Sequence, residues 1–590
     1  MHKYLVSLER TAAVTGILLL CALQASGATA TGIQRPQPGE TVEVLVQYAT
    51  QPTEEQHRRI IDRNGRVRET FRYVPVAHYD VTPEALADLE ANPEVVSINP
   101  NRVVRASDVN ASMSADYNAL ANYLNATAPT GMGTTLGNGI GIAIVDSGID
   151  AAHPNFNTFM GSTSRVVYSQ SFVGGDTGDE YGHGTHVAGI AAGADNVTAG
   201  ASNVIQSFYG FAIDAGIINL KVLDATGSGT DANVIAGIDQ AIALKNTYNI
   251  RVMNLSLGRT ITTSYKHDPL CQAVEAAWKA GIVVVVAAGN DGRDNSQNTQ
   301  GYGTINAPGN DPYVITVGAS NDKGNMNRAD DTMTTYSSKG PTAIDHIVKP
   351  DLVAPGNRVV SYQSPGSYLV TTYPANQIPV DSYIAGGSSA YSPYYLTLSG
   401  TSMATPVVAG VAAVLVEQNP SATPDQIKAR LMKTAWRGFP STMTSTATNP
   451  DGTTTTYTAH NDIFTVGAGQ IDAWAAWNDT DSPFGTAASP AAILFPNGMV
   501  QLQLNPTNAM TAIWGTSYAT TAIWGTNVSG TTAIWGTTAI WGTTAIWGTT
   551  AIWGTTTPAG TSAVWGSTAI WGTSAPEAEA EIAIAVNGEN

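Results

Sequence analysis

The chain has 590 residues, 46 of them acidic and 28 basic, which gives a formal net charge of -18. This length exceeds one ordinary domain, and the absence of Lys/Arg clusters from the sequence argues against nucleic-acid binding. We interpret the acidic balance as a contribution to solubility.

Residues 1–30 have the three-part layout of a secretory signal peptide. A charged start at Lys3 precedes an apolar run from Val14 to Leu23, and a small-residue A-T-A site ends at Ala30. We therefore predict cleavage near Ala30 and a secreted, extracellular protein, with a buried N-terminal helix as the alternative. The remaining sequence has no apolar run that we read as a membrane span.

Residues 31–110 are predicted to form a small ferredoxin-like α+β unit. Strand-like "VEVLVQY" is followed by helix-like "PTEEQHRRIIDRNG", two strands in "RVRETFRYVPVAHYDV", the helix "TPEALADLEANP" and a last strand, "EVVSINPNRVV". The order βαββαβ fits that class of fold. A unit of this size is marginal alone, so we expect it to need a docking partner.

Residues 111–480 have a different pattern, in which β-branched runs alternate with helix-like stretches. The runs include "GIGIAIVD", "IINLKVLD", "RVMNLSLG", "GIVVVVAAGN" and "YVITVGAS". Such continuous apolar strands indicate an α/β fold with a doubly wound, mostly parallel sheet and helices on both faces. In these folds ligands bind at the carboxyl ends of the strands.

Residues 481–575 contain a repeated A-[IV]-W-G motif, and residues 576–590 form a short acidic tail. The central copies recur every six residues as "TTAIWG". An even period keeps every Trp on one face of an extended chain, which favours a β-type array, whereas the Thr/Gly-rich composition also fits a disordered linker. The motif tryptophans are Trp514, Trp524, Trp535, Trp541, Trp547, Trp553, Trp565 and Trp571.

Four residues with catalytic chemistry follow the predicted strands. Asp146 ends "GIAIVD", His183 opens an apolar helix in "HGTHVAG", Asn290 follows "VVVVAAG", and Ser402 lies in "GTSMATP". A serine hydroxyl becomes nucleophilic when an imidazole takes its proton, and a carboxylate orients that imidazole. An amide can donate to the oxyanion that forms.

Together, in this order, "DSG", "HGTHVAG", "AAGN" and "GTSMATP" resemble the subtilisin-like serine peptidase (subtilase) family. The resemblance runs from about Tyr117 to Ala476 and implies Asp146 as the orienting acid, His183 as the base, Ser402 as the nucleophile and Asn290 as the oxyanion donor. It also implies that residues 31–110 are an inhibitory and chaperoning propeptide. His186, the second histidine of "HGTHVAG", is expected to be a packed helix residue.

The same resemblance implies a set of substrate-binding residues. The segment "SLG" would pair with substrate backbone and form one wall of the specificity pocket, and Asn306 would form its floor. The predicted substrate-binding residues are Ser256, Leu257, Gly258, Ala288, Gly289 and Asn306.

The sequence also departs from the family pattern. The Tyr/Ser/Gly-rich stretch 361–398 is longer than in compact relatives, so it is a candidate rim or gate of the cleft. Asn155 stands where many relatives use an aspartate for calcium, which leaves a structural calcium ion in doubt. The chemistry itself is expected to need no cofactor.

Two functions remain open at this stage. The first is a secreted serine endopeptidase that cuts protein substrates and processes its own precursor near residues 105–113. The second is a surface-associated binding or structural protein that contacts glycans or cell surfaces through its Trp repeats, with the peptidase serving only self-maturation.

Overall fold

The computed structural model describes residues 32–106, 109–110, 136–296, 298–325, 327–448, 453–480, 486–494 and 500–503. The predicted signal peptide, the Trp repeats and the acidic tail therefore lie outside the described residues. The chain divides into two units, residues 1–102 with His267–Pro269, and residues 103–266 with 270–590. This division falls earlier than the predicted boundary at residue 110.

The first unit has the βαββαβ order that its sequence predicts. Thr53 and Thr82 accept hydrogen bonds from the first turns of the two helices, and Pro83 occupies a first-turn position that needs no N–H donor. The strands form one antiparallel sheet in the order β2-β3-β1-β4. The elements are β1 (Val42–Tyr48), α1 (Glu54–Ile61), β2 (Arg66–Thr70), β3 (Val76–Val81), α2 (Pro83–Glu90) and β4 (Val95–Pro100).

One strand prediction in this region needs correction. The segment "EVVSINPNRVV" was expected to form a single strand, but β4 ends at Pro100 and a separate strand begins at Val103. The separate strand pairs within the second unit. The turn-forming Asn101 and the proline at Pro100, which lacks an amide hydrogen, explain the break.

The second unit is built on a large sheet with the order β15-β14-β13-β11-β7-β9-β8, in which β16 also pairs with β14. All of these pairs are parallel except β14 with β15. The strands are β5 (Val103–Ala106), β6 (Val109–Asn110), β7 (Gly141–Asp146), β8 (Val166–Ser171), β9 (Gly216–Lys221), β10 (Ser228–Thr230), β11 (Ile250–Leu255), β12 (Leu257–Gly258), β13 (Val283–Ala287), β14 (Ile315–Asn321), β15 (Thr332–Met333), β16 (Leu352–Pro355), β17 (Val359–Tyr362), β18 (Gln377–Pro379), β19 (Tyr391–Ser399), β20 (Thr442–Thr448), β21 (Thr454–His460), β22 (Ala491–Leu494) and β23 (Val500–Gln503).

The helices of the second unit alternate with these strands, as expected for an α/β fold. They are α3 (His183–Ala192), α4 (Asp231–Leu244), α5 (Pro269–Lys279), α6 (Tyr368–Thr372), α7 (Thr401–Gln418), α8 (Pro424–Thr434) and α9 (Ala473–Asn478). Helix α7 is long and apolar enough to cross a membrane, but its residues are buried within the protein from Thr401 to Val416. It is therefore the central core helix, packed against α3 and the sheet.

Candidate active site

Asp146 and His183 meet where a strand ends and a helix begins. Asp146 is the last residue of β7, and His183 is the first residue of α3. The His183 Nδ1 atom lies 2.6 Å from Asp146 Oδ1, and both side chains are fully buried. A carboxylate at this distance holds the imidazole in one orientation with the hydrogen on Nδ1, which presents Nε2 as the basic atom.

A second buried carboxylate, that of Asp179, fixes the start of the helix that begins at His183. Asp179 accepts hydrogen bonds from the backbone N–H groups of Gly182 and Thr185, each at 2.7 Å, and from the Ser147 hydroxyl at 2.8 Å. Gly182, at φ +104°, is the residue before the helix and has no side chain to cap it, so Asp179 supplies the cap.

Ser147 extends the tether to the strand that carries Asp146. Its hydroxyl accepts from the Gly184 N–H at 2.9 Å, and its own N–H donates to Asp146 Oδ1 at 2.7 Å. Burial raises the pKa of Asp179, and the hydrogen bonds that it accepts only partly offset this effect. Asp179 and Ser147 are not among the predicted site residues, although an acidic residue shortly before a helix start is a recognisable capping signal.

Ser402 lies in the first turn of α7. Its hydroxyl donates to the Ser256 carbonyl at 3.0 Å, and the Ser256 hydroxyl donates to the Ser402 carbonyl at 2.9 Å. Ser256 directly follows β11, whose two neighbours are the strand that ends at Asp146 and β13. Because adjacent parallel strands end at the same edge, Ser402 sits at the edge that also holds Asp146.

Asn290 stands a few residues after β13, at the same edge. Its Oδ1 accepts from the Thr401 backbone N–H at 3.0 Å and from the Thr401 hydroxyl at 3.1 Å. Since a backbone N–H can only donate, the atom facing it must be the amide oxygen. The NH₂ end of Asn290 is therefore directed away from Thr401, as a donor.

The predicted substrate-binding segment forms part of a three-stranded sheet with the order β10-β5-β12. Strand β5 runs antiparallel to both neighbours, with Val104 opposite Gly229 and Ala106 opposite Leu257. Val104 and Ala106 are buried, whereas the alternate residues Val103 and Arg105 are exposed. A segment of the chain itself is thus paired, as an added strand, with the predicted substrate-binding segment.

The next short strand, β6, pairs with β19, placing Val109 opposite Ser399 and Asn110 opposite Leu398. Ser399 comes three residues before Ser402. The chain is therefore held by strand pairing before Ser107 and after Asp108, and one of these pairings is beside the Ser402 helix start. The sequence analysis did not predict this arrangement, because it depends on long-range pairing.

Gly258, Gly289 and Asn306, three of the predicted substrate-binding residues, lie close together. A Cβ atom at Gly258 would lie 3.0 Å from Asn306 Cβ, and one at Gly289 would lie 2.6 Å from Asn306 Nδ2. Gly289 also has φ +105°, which side chains rarely adopt. Ala288 accepts a hydrogen bond from the Asn306 N–H at 2.9 Å, so the predicted pocket residues adjoin one another.

His186 is fully buried inside α3, in agreement with the expectation that it is a packed residue. Its Nε2 faces the carbonyls of Val359 and Leu396 at 3.1 and 3.0 Å, which can only accept. Burial lowers the pKa of His186 to about 3, and the neighbouring His183 acts in the same direction. A neutral, hydrogen-bonded histidine of this kind supports packing.

The Asn155 side chain makes hydrogen bonds within the protein. Its NH₂ donates to Asp195 at 3.3 Å and its Oδ1 accepts from the Val197 N–H at 2.8 Å. Asp195 also accepts from the hydroxyls of Thr198 and Tyr395. The side-chain oxygens of Asn155 and Asp195 therefore already accept hydrogen bonds within the protein. The described part of the chain holds no group of three or more His, Cys, Asp or Glu residues arranged to bind a metal.

Comparison with known proteins identifies the family of the chain. A sequence model described as "Subtilase family" matches residues 137–469. The chain belongs to the subtilase family. It is 36% identical over 376 residues to the serine protease AprX of Bacillus subtilis strain 168, an alignment that covers 62% of this chain and 75% of that protein.

A second sequence relative supports the assignment to the subtilases, and a solved structure shows the same fold. Subtilisin E of the same strain is 32% identical over 380 residues, covering 64% of this chain and 79% of that protein. The crystal structure of fervidolysin from Fervidobacterium pennivorans, described as a keratinolytic enzyme related to subtilisin, has a TM-score of 0.55 at 21% identity. That comparison covers 79% of this chain and 65% of the other, and shows the fold. The chain is thus a subtilisin-like serine protease.

Proposed function

We propose that the protein is a secreted endopeptidase in which Ser402 attacks the peptide carbonyl, His183 carries the proton and Asp146 orients His183. The observation that carries this proposal is the 2.6 Å contact between His183 Nδ1 and Asp146 Oδ1, at the sheet edge that also holds Ser402. Its substrates are proteins and peptides, and export rests on the signal-like residues 1–30.

The reaction is a two-step acyl transfer. Ser402 Oγ bonds to the scissile carbonyl carbon as its proton passes to His183 Nε2, and the Asn290 NH₂ stabilises the oxyanion. His183 then returns the proton to the departing amine, and water hydrolyses the acyl-enzyme by the same route. Since the base must be neutral and an ordinary imidazole has a pKa near 6.5, activity should rise through neutral pH.

We further propose that the precursor cuts itself between Ala106 and Val109. Strand β5 is paired on one side of this interval and β6 on the other, as a peptide spanning the scissile bond would be. This interval narrows the range of residues 105–113 that the sequence suggests. After cleavage, β5 would stay paired with β10 and β12 and would inhibit the enzyme by blocking the cleft.

The test compares the full-length chain with its Ser402→Ala variant. A fluorophosphonate probe, which reacts with activated serines, should label Ser402 in the wild type but not in the variant, and only the wild type should digest casein. Asn290→Ala should keep the label but lower kcat by about 10²- to 10³-fold, a magnitude measured for this same residue type in subtilisin. Equal labelling of wild type and Ser402→Ala would refute the proposal.

A further inference from the structure

The inserted segment between β17 and β19 packs against the residues that immediately precede His183. The N–H groups of Tyr368 and Leu369 donate to the carbonyls of Glu180 and Tyr181 at 2.8 and 3.0 Å. Because the first N–H groups of a helix have no partner inside it, these bonds satisfy the start of α6. They also tie α6 to the chain that enters α3.

Aromatic contacts complete the attachment. The rings of Tyr181 and Tyr368 are stacked, with centroids 5.8 Å apart and planes inclined by 12°. Ser367, just before α6, fills the space beside Gly182, where a Cβ atom would lie 2.5 Å from its Oγ. We call Tyr181 and Tyr368 together the tyrosine wall.

The tyrosine wall stands next to the strand that binds β5. A Cβ atom at Gly227 would lie 2.5 Å from Tyr181 Cζ, so the Tyr181 ring covers Gly227. The Gly227 carbonyl accepts the N–H of Ala106 at 3.1 Å. Gly227 therefore contacts both the Tyr181 ring and the backbone of Ala106, and Ala106 is itself buried, with 8% of the residue exposed.

We propose that the tyrosine wall limits the substrate position occupied by Ala106 to small side chains. In this arrangement Tyr181 is the specificity-determining residue, and Tyr368 is a positioning residue that holds the Tyr181 ring by stacking. A larger side chain at this position would have to displace a ring that is fixed both by stacking and by the backbone bonds of α6. This inference rests on the proposed peptidase function.

The test uses peptides with the sequence of residues 101–112, carrying Ala, Leu or Phe at the position of Ala106 and a fluorophore and quencher at the ends. Wild type should cut the Ala peptide with a kcat/KM at least about tenfold above that for the Phe peptide. Tyr181→Ala and Tyr368→Ala should each reduce this ratio by about tenfold, mainly through faster cleavage of the Phe peptide.

Two controls separate specificity from general damage. Tyr368→Phe preserves the stacked ring and should retain the wild-type ratio. Tyr391→Ala removes an exposed tyrosine elsewhere in the same insertion and should also retain it. If the ratio is the same in wild type, Tyr181→Ala and Tyr368→Ala, the tyrosine wall does not set specificity; if wild type fails to cut the Ala peptide, the proposed cleft function itself is wrong.

The rate of self-processing of the precursor provides a second test, which does not require purified active variants. Ala106→Phe should slow self-processing at least about tenfold in the wild-type background, and adding Tyr181→Ala should restore it. Processing of Ala106→Phe at the wild-type rate, or the absence of any restoration by Tyr181→Ala, would overturn the inference.

Discussion

Asp179 and Asp351 are both buried carboxylates, but the protein balances their charges in opposite ways. Asp179 is held by backbone N–H groups and a hydroxyl, and burial raises its pKa. Asp351 lies 2.7 Å from the ammonium of Lys349 and 3.0 Å from that of Lys428, all with fully buried side chains. Burial alone would raise the pKa of Asp351, but the two lysines lower it.

The difference reflects what each carboxylate does. Neutral donors let Asp179 cap the His183 helix without placing a cation beside an imidazole that must accept a proton. The lysines at Asp351 instead cross-link distant segments, since Lys428 also donates to the carbonyls of Pro312 and Val314. We conclude that the first carboxylate serves geometry at the site and the second serves the stability of the core.

The largest effect should follow from breaking the Asp351 cluster. In a Ser402→Ala background, which avoids self-digestion, Asp351→Asn leaves two buried ammonium groups without their carboxylate and should cost about 3–5 kcal/mol of unfolding free energy. Urea unfolding measures this. As a control, Lys279→Gln removes the exposed partner of the ion pair with the largely buried Glu275 and should cost only about 1 kcal/mol. Equal losses in both variants would contradict the cross-link.

Asp179→Asn should damage activity more than folding. The new amide NH₂ group would face N–H or O–H donors, which weakens the hydrogen bonds that hold the helix start at His183. We therefore expect kcat to fall by about 10- to 100-fold while KM changes less. Loss of a nearby negative charge should also shift the acidic limb of the pH profile to lower pH. Asp176→Asn, at an exposed neighbour, is the matched control. An unshifted pH profile with a normal kcat would show that Asp179 does not position His183.

Asp331 has an environment intermediate between those of Asp179 and Asp351. It is buried, accepts one bond from Gln470 at 2.8 Å, and burial raises its pKa to about 6, with Asp322 and Asp330 adding to the shift. Because its pKa is raised, the protonated Asp331 carboxyl stabilises the fold below about pH 4. This contribution to the unfolding free energy, on the order of 2 kcal/mol, is lost as pH rises through 6.

Asp331→Asn should therefore reduce the change in unfolding free energy between pH 4 and pH 7 relative to the parent chain. Thermal unfolding midpoints of the two proteins, both in the Ser402→Ala background, provide the measurement. Parallel curves for the parent and the variant would show that Asp331 does not titrate in this range.

The smallest effect is expected at Asn155. Asn155→Asp would face Asp195 with a second carboxylate and should destabilise the inactive background by about 1 kcal/mol in the absence of metal. Calcium, which prefers carboxylate oxygens, should raise the melting temperature of the variant more than that of its parent. Equal calcium responses would contradict the hydrogen-bonded arrangement at Asn155.

The sequence predicts the parts of the molecule that depend on local patterns. The runs ending at Asp146 and before Asn290 are continuous and apolar, so the strands and their carboxyl ends follow from hydrophobicity. The attachment of Tyr368 to Glu180 and Tyr181 was not predictable, because it depends on contacts between segments far apart in the chain. The pairing of β5 with β10 and β12 was not predictable for the same reason, since these partners are distant in sequence.

We propose above that Ser402 cuts the chain between Ala106 and Val109. Intact-mass and N-terminal analysis of the purified full-length protein and its Ser402→Ala variant test this most directly. We predict a wild-type product whose N-terminus is Ser107, Asp108 or Val109, and a variant that remains joined across this interval. A cut at the same position in the Ser402→Ala protein, or a wild-type protein that is active while residues 106–109 remain joined, would contradict it.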